Sequence, residues 1–478
     1  MVKTISLLDI AERAHKGPRM EEKEWNLGLF RKMQQLVNEY SIELPSSPDP
    51  FHVDKEIVNS LWEAALEFLS EKGVYCISTN RVLNFTEEEI AEAIREIPRD
   101  IQVGSGKDTR TISKRCIEDS KPPSIQSGGH SAWSDDLFPL PLMVRALVKN
   151  KRVDIIEGFN FAKLNGIEIH GLPAEAYAAR RQMDLVRQGL REAGREGMAV
   201  TFYPIHTHTS SLIASIDPDY GLRRTDGILL SILPDIKVET DLIAASLVFE
   251  EYGCYRVNGG AFALAGGFCG GIEGAMIESL VKTLAAWIVY RDSIQYSGAV
   301  SKGLQPRVSG GRKDSAAWKT AITPSFIVQK TVTEKTNVIR FGGIGFGRPF
   351  NDDLCSEELL LLTALSAIGT TITGGNIGVG ETPPPTTLEW AIETSDAGLG
   401  MKLDEASDLI LRVISEKFPN GQPGTGIDRR MLIYSNPSAF IKPLDKCYDF
   451  TKQRPREAYE KNRRKVRKYL SNLGVPLN

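Results

Sequence analysis

The sequence predicts an α/β fold: a (β/α)8 barrel of the TIM type with a helical N-terminal extension and C-terminal helices. About eight short apolar or β-branched runs alternate with helical stretches after residue 120, and several runs end in glycine. Eight parallel strands close without an edge, whereas an open doubly wound sheet, the alternative, usually has fewer strands. The predicted strands are Ser124–Ser127, Asp154–Phe161, Met198–Tyr203, Gly227–Leu233, Tyr255–Ala261, Ser293–Ser297, Asn337–Phe341 and Thr370–Thr373.

Residues 1–120 are predicted to form a mainly helical region with one small hairpin. The segments Val74–Ile77 and Val82–Phe85 flank a polar turn, as the two strands of a hairpin do. Thr86 and Glu89 have the spacing of a capping box, which starts the helix that follows. This region carries no catalytic signature.

Residues 121–400 make up the predicted barrel, and residues 401–478 a helical extension packed on it. The extension contains a helix at Leu403–Phe418 and a last helix at Pro455–Leu473, which is rich in Lys and Arg. Such a basic helix is either a solvated face or a docking surface for an acidic partner protein.

The composition is that of an ordinary globular protein. Of 478 residues, 41% are hydrophobic and 25% are charged, which excludes global disorder. The 58 Lys and Arg nearly balance the 61 Asp and Glu, for a net charge of -3. We therefore expect no nucleic-acid partner held by bulk charge.

The cysteines and apolar segments indicate a cytoplasmic protein. The six cysteines include no C-x-x-C pair, and we expect them to be reduced and mostly buried. The N-terminus does not read as a signal peptide. The most apolar stretch, Gly259–Gly271, is too short and too rich in glycine to span a bilayer. We expect no membrane segment.

Two histidines follow the third predicted strand. His206 and His208 are two residues apart, so in extended chain they point to the same side. They could share acid–base work or bind a metal, with His130 or Glu157 as a third ligand. One functional alternative is therefore a metal-dependent barrel hydrolase or lyase using His206 and His208. The plainer alternative is that both only bond the loop backbone.

Other polar residues lie near the ends of predicted strands, where barrel active sites form. Alternation along a strand means that about half of them face the helices. A buried Glu157 near His130 or Arg340 would be a general acid or half of a structural salt bridge. The candidates for substrate contact are Tyr203, Asn160, Asn258, Gln295, Tyr296, Arg340 and Asn376.

Several segments, in order along nearly the whole chain, carry a resemblance to a known family. The chain resembles the monomethylamine:corrinoid methyltransferases of methylotrophic methanogenesis. Each segment is modest, but their shared order and spacing is specific. The segments read LLDIAERAHKG, FLSEKGVYCISTNRVLNFTEEEI, VGSGKDTRTISKR, PSIQSGG, AGREGMAV, AGGFCGGIE and CYDF, PREAY and LSNLGV near the C-terminus.

The resemblance implies a function as well as a fold. Family members are (β/α)8 barrels that assemble as oligomers and pass a methyl group to the cobalt of a corrinoid held by a separate small protein. It implies a small methylated amine and a corrinoid protein as partners, with no tightly bound cofactor of the chain's own. A non-enzymatic alternative is a corrinoid-protein binding partner that has lost catalysis.

The chain departs from the family at the residues that handle the amine. The family's pyrrolysine follows the run that reads AGREGMAV here, and that position is Thr201. An acidic family residue falls near Gly260, and a glutamine–tyrosine pair around Val338–Arg340. A threonine hydroxyl cannot bind an amine as the electrophilic imine of pyrrolysine is thought to do.

The substitution leads to a hypothesis about the methyl donor. A quaternary ammonium carries a permanent charge and leaves as a neutral tertiary amine, so it needs only alignment and a cation-tolerant pocket. Phe202, Tyr203 and Tyr296 could supply aromatic faces, or could simply fill the barrel, and Glu157 could offset the charge. The candidate catalytic residues are Thr201, Glu157, His206 and His208.

Overall fold

The structure is a computed structural model, and its description is limited to part of the chain. The described residues are 5–47, 49–128, 132–133, 138–161, 163–169, 174–202, 208–260, 263, 265–296, 316–342, 354–379, 385–418 and 444–477.

Eight parallel strands form the central sheet. Neighbouring strands pair in the chain order of a barrel, with the last strand beside the first. A parallel bridge between Phe341 and Asn376 joins the seventh strand to the eighth and closes the sheet. The predicted barrel is thus confirmed over the open sheet. The strands are β5 (Ile125–Gly128), β6 (Val153–Glu157), β7 (Ala199–Phe202), β8 (Gly227–Leu230), β9 (Tyr255–Asn258), β10 (Asp292–Gln295), β11 (Ile339–Arg340) and β12 (Ile377–Val379).

Helices connect consecutive strands and cover the outside of the barrel, as parallel crossovers require. Their apolar faces pack on the outward side chains of the strands, so that both faces of the sheet are buried. The helices are α5 (Leu140–Leu147), α6 (Glu175–Glu192), α7 (Thr209–Ala214), α8 (Thr240–Tyr252), α9 (Ile272–Tyr290), α10 (Ala316–Lys335), α11 (Glu357–Ile372) and α12 (Pro385–Ala397).

The eighth strand lies later than the sequence predicts. Thr370–Thr373 is β-branched and reads as a strand, but it is the end of α11 and its C-cap. The hydroxyls of Thr371 and Thr373 donate to the carbonyls four residues earlier, which satisfies these side chains inside a helix. Gly374, at φ 77°, then turns the chain into β12.

The N-terminal region packs on the barrel. Its helices are α1 (Leu7–Lys16), α2 (Glu22–Glu39), α3 (Lys55–Lys72) and α4 (Glu87–Arg95). The hairpin β1 (Val74–Cys76) and β2 (Arg81–Leu83) also pairs in parallel with Lys237–Val238, which follows β8. Thr86 and Glu89 form the capping box of α4.

A second hairpin covers the amino-terminal end of the barrel. It consists of β3 (Asp100–Val103) and β4 (Arg110–Ser113). Val103 and Ile112 are fully buried against the side chains inside the barrel. The backbone N–H groups of Gly104 and Ser105 donate to carbonyls just before β8 and β7, at 3.0 and 2.8 Å. This hairpin therefore seals the end of the barrel opposite the predicted site.

The C-terminal segment adds α13 (Leu403–Lys417) and α14 (Glu457–Asn472). Part of the basic surface of α14 is paired with the barrel rather than solvated. Arg463 and Arg467 both bind Glu393 of α12, at 2.6 and 2.5 Å. Other basic residues of α14 stay exposed, namely Lys461, Arg464 and Lys468.

The cysteine prediction is wrong for one pair. Cys355 and Cys447 form a disulfide, although 92 residues separate them in the chain. The fold brings the segment before α11 and the segment before α14 together, with a Cα–Cα distance of 5.7 Å, and sequence spacing could not reveal this. Cys76, Cys254 and Cys269 are buried thiols outside any disulfide, and Cys116 is an exposed one. Within the described residues no helix has both the length and the apolar character needed to cross a membrane.

Candidate active site

Alternation along the strands decides which side chains enter the barrel. Ile155 and Ala199 belong to the apolar cluster inside the barrel. Because side chains two residues apart point to the same side, Glu157 and Thr201 also face the interior. The two are in register on neighbouring strands, and their side chains are 1% and 0% exposed.

Thr201 is held by a tyrosine two strands away. Thr201 Oγ1 and Tyr255 Oη are 2.9 Å apart, and either hydroxyl can donate. The Tyr255 ring reaches Thr201 by lying over Gly227 of the intervening strand. A Cβ at Gly227 would overlap that ring, so glycine is required there for the hydrogen bond to form.

The environment keeps the Tyr255 phenol neutral. Burial raises the pKa of Tyr255, and although the hydrogen bond from Thr201 lowers it, the nearby Asp226, Cys254 and Glu157 raise it further. A neutral phenol beside a threonine hydroxyl is a hydrogen-bonding pair. It is neither a base nor an electrophile at neutral pH.

A second tyrosine is arranged in the same way on the other side of the barrel. Tyr296, just after β10, lies against Gly378 of β12, where a Cβ would be 3.1 Å from its Cε1. Its hydroxyl accepts a hydrogen bond from Gln126 Nε2 of β5. Gln126 Oε1 is buried and has no hydrogen-bond partner among the described residues.

Glu157 lies between these two tyrosine systems. It is in register with Thr201 on one side and with Gly128 on the other. Gly128 has a φ of 106°, and a Cβ there would strike the Glu157 backbone. Glycine at the end of β5 thus lets two strands meet closely beside the carboxylate.

Three of the predicted substrate-binding residues do not face the interior. Asn258 Nδ2 donates to Gln295 Oε1 at 3.3 Å, and Gln295 Nε2 donates to the Thr283 carbonyl of α9 at 2.8 Å. Arg340 binds Thr333 of α10 and the Thr373 carbonyl. All three point outward, because their strand positions have the opposite parity from those of the interior residues.

Asn376 lies at the wrong end of the barrel for the predicted role. It precedes β12, and its side chain bonds the Ser124 N–H and the Ser113 carbonyl. Both partners belong to the amino-terminal end, which the second hairpin covers. The prediction placed the eighth strand before Asn376, whereas the observed strand follows it, and the residue was therefore assigned to the wrong end of the barrel.

The predicted histidine pair is only partly described. His208 is the N-cap of α7, with 61% of its side chain exposed and Nδ1 3.9 Å from Asp241 Oδ2. His206, Tyr203 and His130 lie outside the described residues, as does the side chain of Asn160. Within the described part of the chain, no group of His, Cys, Asp and Glu side chains is arranged to hold a metal ion.

A buried ion pair supports the strand that carries Thr201. Arg187 of α6 pairs with Asp226, and each side chain is 1% exposed. Asp226 Oδ1 accepts from the Val200 N–H at 2.9 Å, and its carbonyl accepts from the Tyr255 N–H at 3.0 Å. Asp226 thus fixes the backbone at both ends of the Thr201–Tyr255 hydrogen bond.

Comparison with known proteins identifies the family. The family model described as monomethylamine methyltransferase MtmB matches residues 5–475. The chain belongs to the MtmB family. Monomethylamine methyltransferase MtmB of Methanosarcina mazei is 24% identical over 99% of both chains, and MtmB1 of Methanosarcina barkeri is 26% identical over the same share. The crystal structure of the Methanosarcina barkeri MtmB matches with a TM-score of 0.81 at 22% identity, over 99% of both chains, and shows the same fold.

Membership in the MtmB family makes the chain a methyltransferase. The sequence analysis did not predict two residues that line the interior near Thr201, namely Tyr255 and Gln126. Tyr255 is the first residue of its strand and Gln126 the second of its own, so neither lies at the carboxyl end of a strand, where candidates were sought. The available signal was Gly227, a glycine at the start of a strand, which leaves room for a large neighbour.

Replacing Thr201 with valine tests the hydrogen bond at the centre of this site. The variant keeps the side-chain shape but leaves the Tyr255 hydroxyl buried without its partner, and we expect the free energy of unfolding to fall by about 1–3 kcal/mol. Denaturant unfolding of Thr201→Val, Tyr255→Phe and the double variant measures the coupling. The double variant should lose less than the sum of the two single variants; strict additivity would contradict the bond.

Proposed function

We propose that this MtmB-family chain moves a methyl group from a quaternary ammonium compound to the Co(I) of a corrinoid held by a separate protein. The observation that carries the proposal is Thr201. It occupies the interior position where the resemblance puts pyrrolysine, and its hydroxyl is bonded to Tyr255. The site therefore offers hydrogen bonds and a carboxylate where an electrophilic imine would be needed to activate a primary amine.

The chemistry of the donor explains why activation is not needed. In the transfer, the electron pair of Co(I) forms the bond to the methyl carbon, and the electrons of the broken C–N bond stay on nitrogen. A quaternary ammonium then departs as a neutral tertiary amine, and no proton has to move. The protein must hold the donor in line with the cobalt and stabilise its charge.

The described interior supplies groups suited to that task. The carboxylate of Glu157 offsets the positive charge of the ammonium. The rings of Tyr255 and Tyr296 present aromatic faces, which attract cations when water is excluded. Glycines at positions 128, 227 and 378 let the Glu157 backbone and the rings of Tyr255 and Tyr296 come close to the neighbouring strands. The amino-terminal end is sealed, so the acceptor cobalt approaches from the carboxyl ends of the strands.

The test is a transfer assay under strictly reducing conditions. Purified protein is mixed with a reduced corrinoid protein and with tetramethylammonium, trimethylammonium or methylammonium, and methyl-cobalt formation is followed by absorbance. We expect methyl-cobalt with the quaternary donor, and none with methylammonium or without the enzyme. Transfer from methylammonium alone, or from no amine at all, would refute the proposal.

A further inference from the structure

Gln126 is a polar residue inside the barrel that the proposed methyl transfer leaves unused. Its amide nitrogen donates to Tyr296, and its Oε1 is buried without a partner among the described residues. Gln126 is 1% exposed, and a buried acceptor with no donor is costly. A ligand that brings a donor to Oε1 would remove that cost.

The position of Gln126 relative to Glu157 constrains such a ligand. Gln126 is in register with Ile155, and Glu157 is two residues further along the same strand. Gln126 and Glu157 lie on neighbouring strands and are offset by two residues along them. Their Cα atoms are therefore about 8 Å apart, and both side chains point inward. A compact molecule with a cation at one end and a hydrogen-bond donor three bonds away can meet both groups.

A quaternary nitrogen has no hydrogen to donate. The donor for Gln126 Oε1 must therefore lie on the fourth substituent of the ammonium, where a hydroxyl can donate a hydrogen bond and a carboxylate cannot. We propose that the methyl donor is a hydroxyalkyl quaternary ammonium, whose hydroxyl donates to Gln126 Oε1 while its cationic head faces Glu157. This inference rests on the proposed function and names its substrate class.

Binding of three probes tests the inference apart from catalysis. The probes are tetramethylammonium, (2-hydroxyethyl)trimethylammonium and (carboxymethyl)trimethylammonium, titrated calorimetrically into the full-length protein. We expect the hydroxyethyl compound to bind about tenfold more tightly than tetramethylammonium, as one restored hydrogen bond allows, and the carboxymethyl compound to bind most weakly. Equal binding of the first two, or tightest binding of the carboxymethyl compound, would overturn the inference.

Variants assign the preference to the amide. Gln126→Leu keeps similar volume and should bind the hydroxyethyl compound and tetramethylammonium equally, whereas Gln188→Leu, an exposed site on α6, should keep the tenfold ratio. Should Gln126→Leu fail to fold, Tyr296→Phe serves instead. Without the tyrosine hydroxyl, the amide can turn its NH2 toward the ligand. The ratio of the affinities for the hydroxyethyl compound and tetramethylammonium should then decrease. A ratio that survives both changes at Gln126 and Tyr296 would also refute the inference.

The two hypotheses fail in different ways. If the hydroxyethyl preference is seen in binding but no amine methylates the corrinoid, the proposed function fails and the subsite stands. If tetramethylammonium and the hydroxyethyl compound are demethylated with the same kcat/KM, the function stands and the subsite assignment fails.

Discussion

We expect Glu157→Gln to lower kcat/KM for the proposed methyl transfer from a quaternary donor by about 100-fold. The change keeps size and shape but removes the negative charge to which the proposal assigns the stabilisation of the ammonium. Losing one partner of a buried charge pair typically costs a few kcal/mol of binding, which corresponds to a factor of this order. Initial rates of methyl-cobalt formation over a range of donor concentrations measure the effect.

A matched control separates this effect from a general loss of charge. Glu250 lies on α8 with 53% of its side chain exposed, and it pairs with Arg256 outside the barrel. Glu250→Gln removes the same charge and should leave kcat/KM unchanged. If Glu157→Gln folds normally and retains the activity of Glu250→Gln, then Glu157 does not stabilise the donor.

We expect Arg187→Met to lower the free energy of unfolding by about 3–5 kcal/mol. The variant leaves the Asp226 carboxylate buried at 1% exposure without its cation, and an uncompensated buried charge is strongly destabilising. Urea unfolding followed by circular dichroism measures the loss. Because Asp226 also fixes the backbone of Val200 and Tyr255, the donor affinity of the folded variant should fall as well.

An exposed pair provides the comparison for that result. Arg412 and Glu416 are one turn apart on α13 at 3.0 Å, with side chains 62% and 42% exposed. Surface pairs of this kind contribute little, so Arg412→Met should leave the urea midpoint unchanged. Equal losses in the two variants would mean that burial of the Arg187–Asp226 pair has no special role.

The barrel could be predicted from sequence because its signal is repeated. Seven predicted strands overlap the observed ones, and the eighth failed for a local reason. Thr370–Thr373 has the composition of a strand, yet its hydroxyls are satisfied by the carbonyls of a helix. Closure depends on contacts such as Phe341 with Asn376, and such a contact has no signature in the sequence.

The site was harder to predict because successive side chains of a strand point to opposite faces, so an error of one residue moves a side chain from the interior to the outside. Glu157, Thr201 and Tyr296 face or contact the interior as expected, whereas Asn258 and Gln295 bond each other on the outside. Register shifts at Ile125/Gln126 and at Arg256/Val257 change which residues of neighbouring strands oppose each other. The reach of Tyr255 across a whole strand depends on three-dimensional packing, which strand spacing alone does not encode.

The hairpin formed by β3 and β4 has a kinetic consequence for the proposed transfer from a small amine to a corrinoid protein. Val103 and Ile112 close the amino-terminal end of the barrel. In the proposed transfer, the amine and the corrinoid protein therefore both approach the carboxyl ends of the strands. We therefore expect the amine to bind before the corrinoid protein covers that end of the barrel, and the demethylated amine to leave after the corrinoid protein dissociates. Steady-state kinetics should therefore show an ordered mechanism in which the amine binds first. Corrinoid protein that binds first should inhibit competitively against the amine.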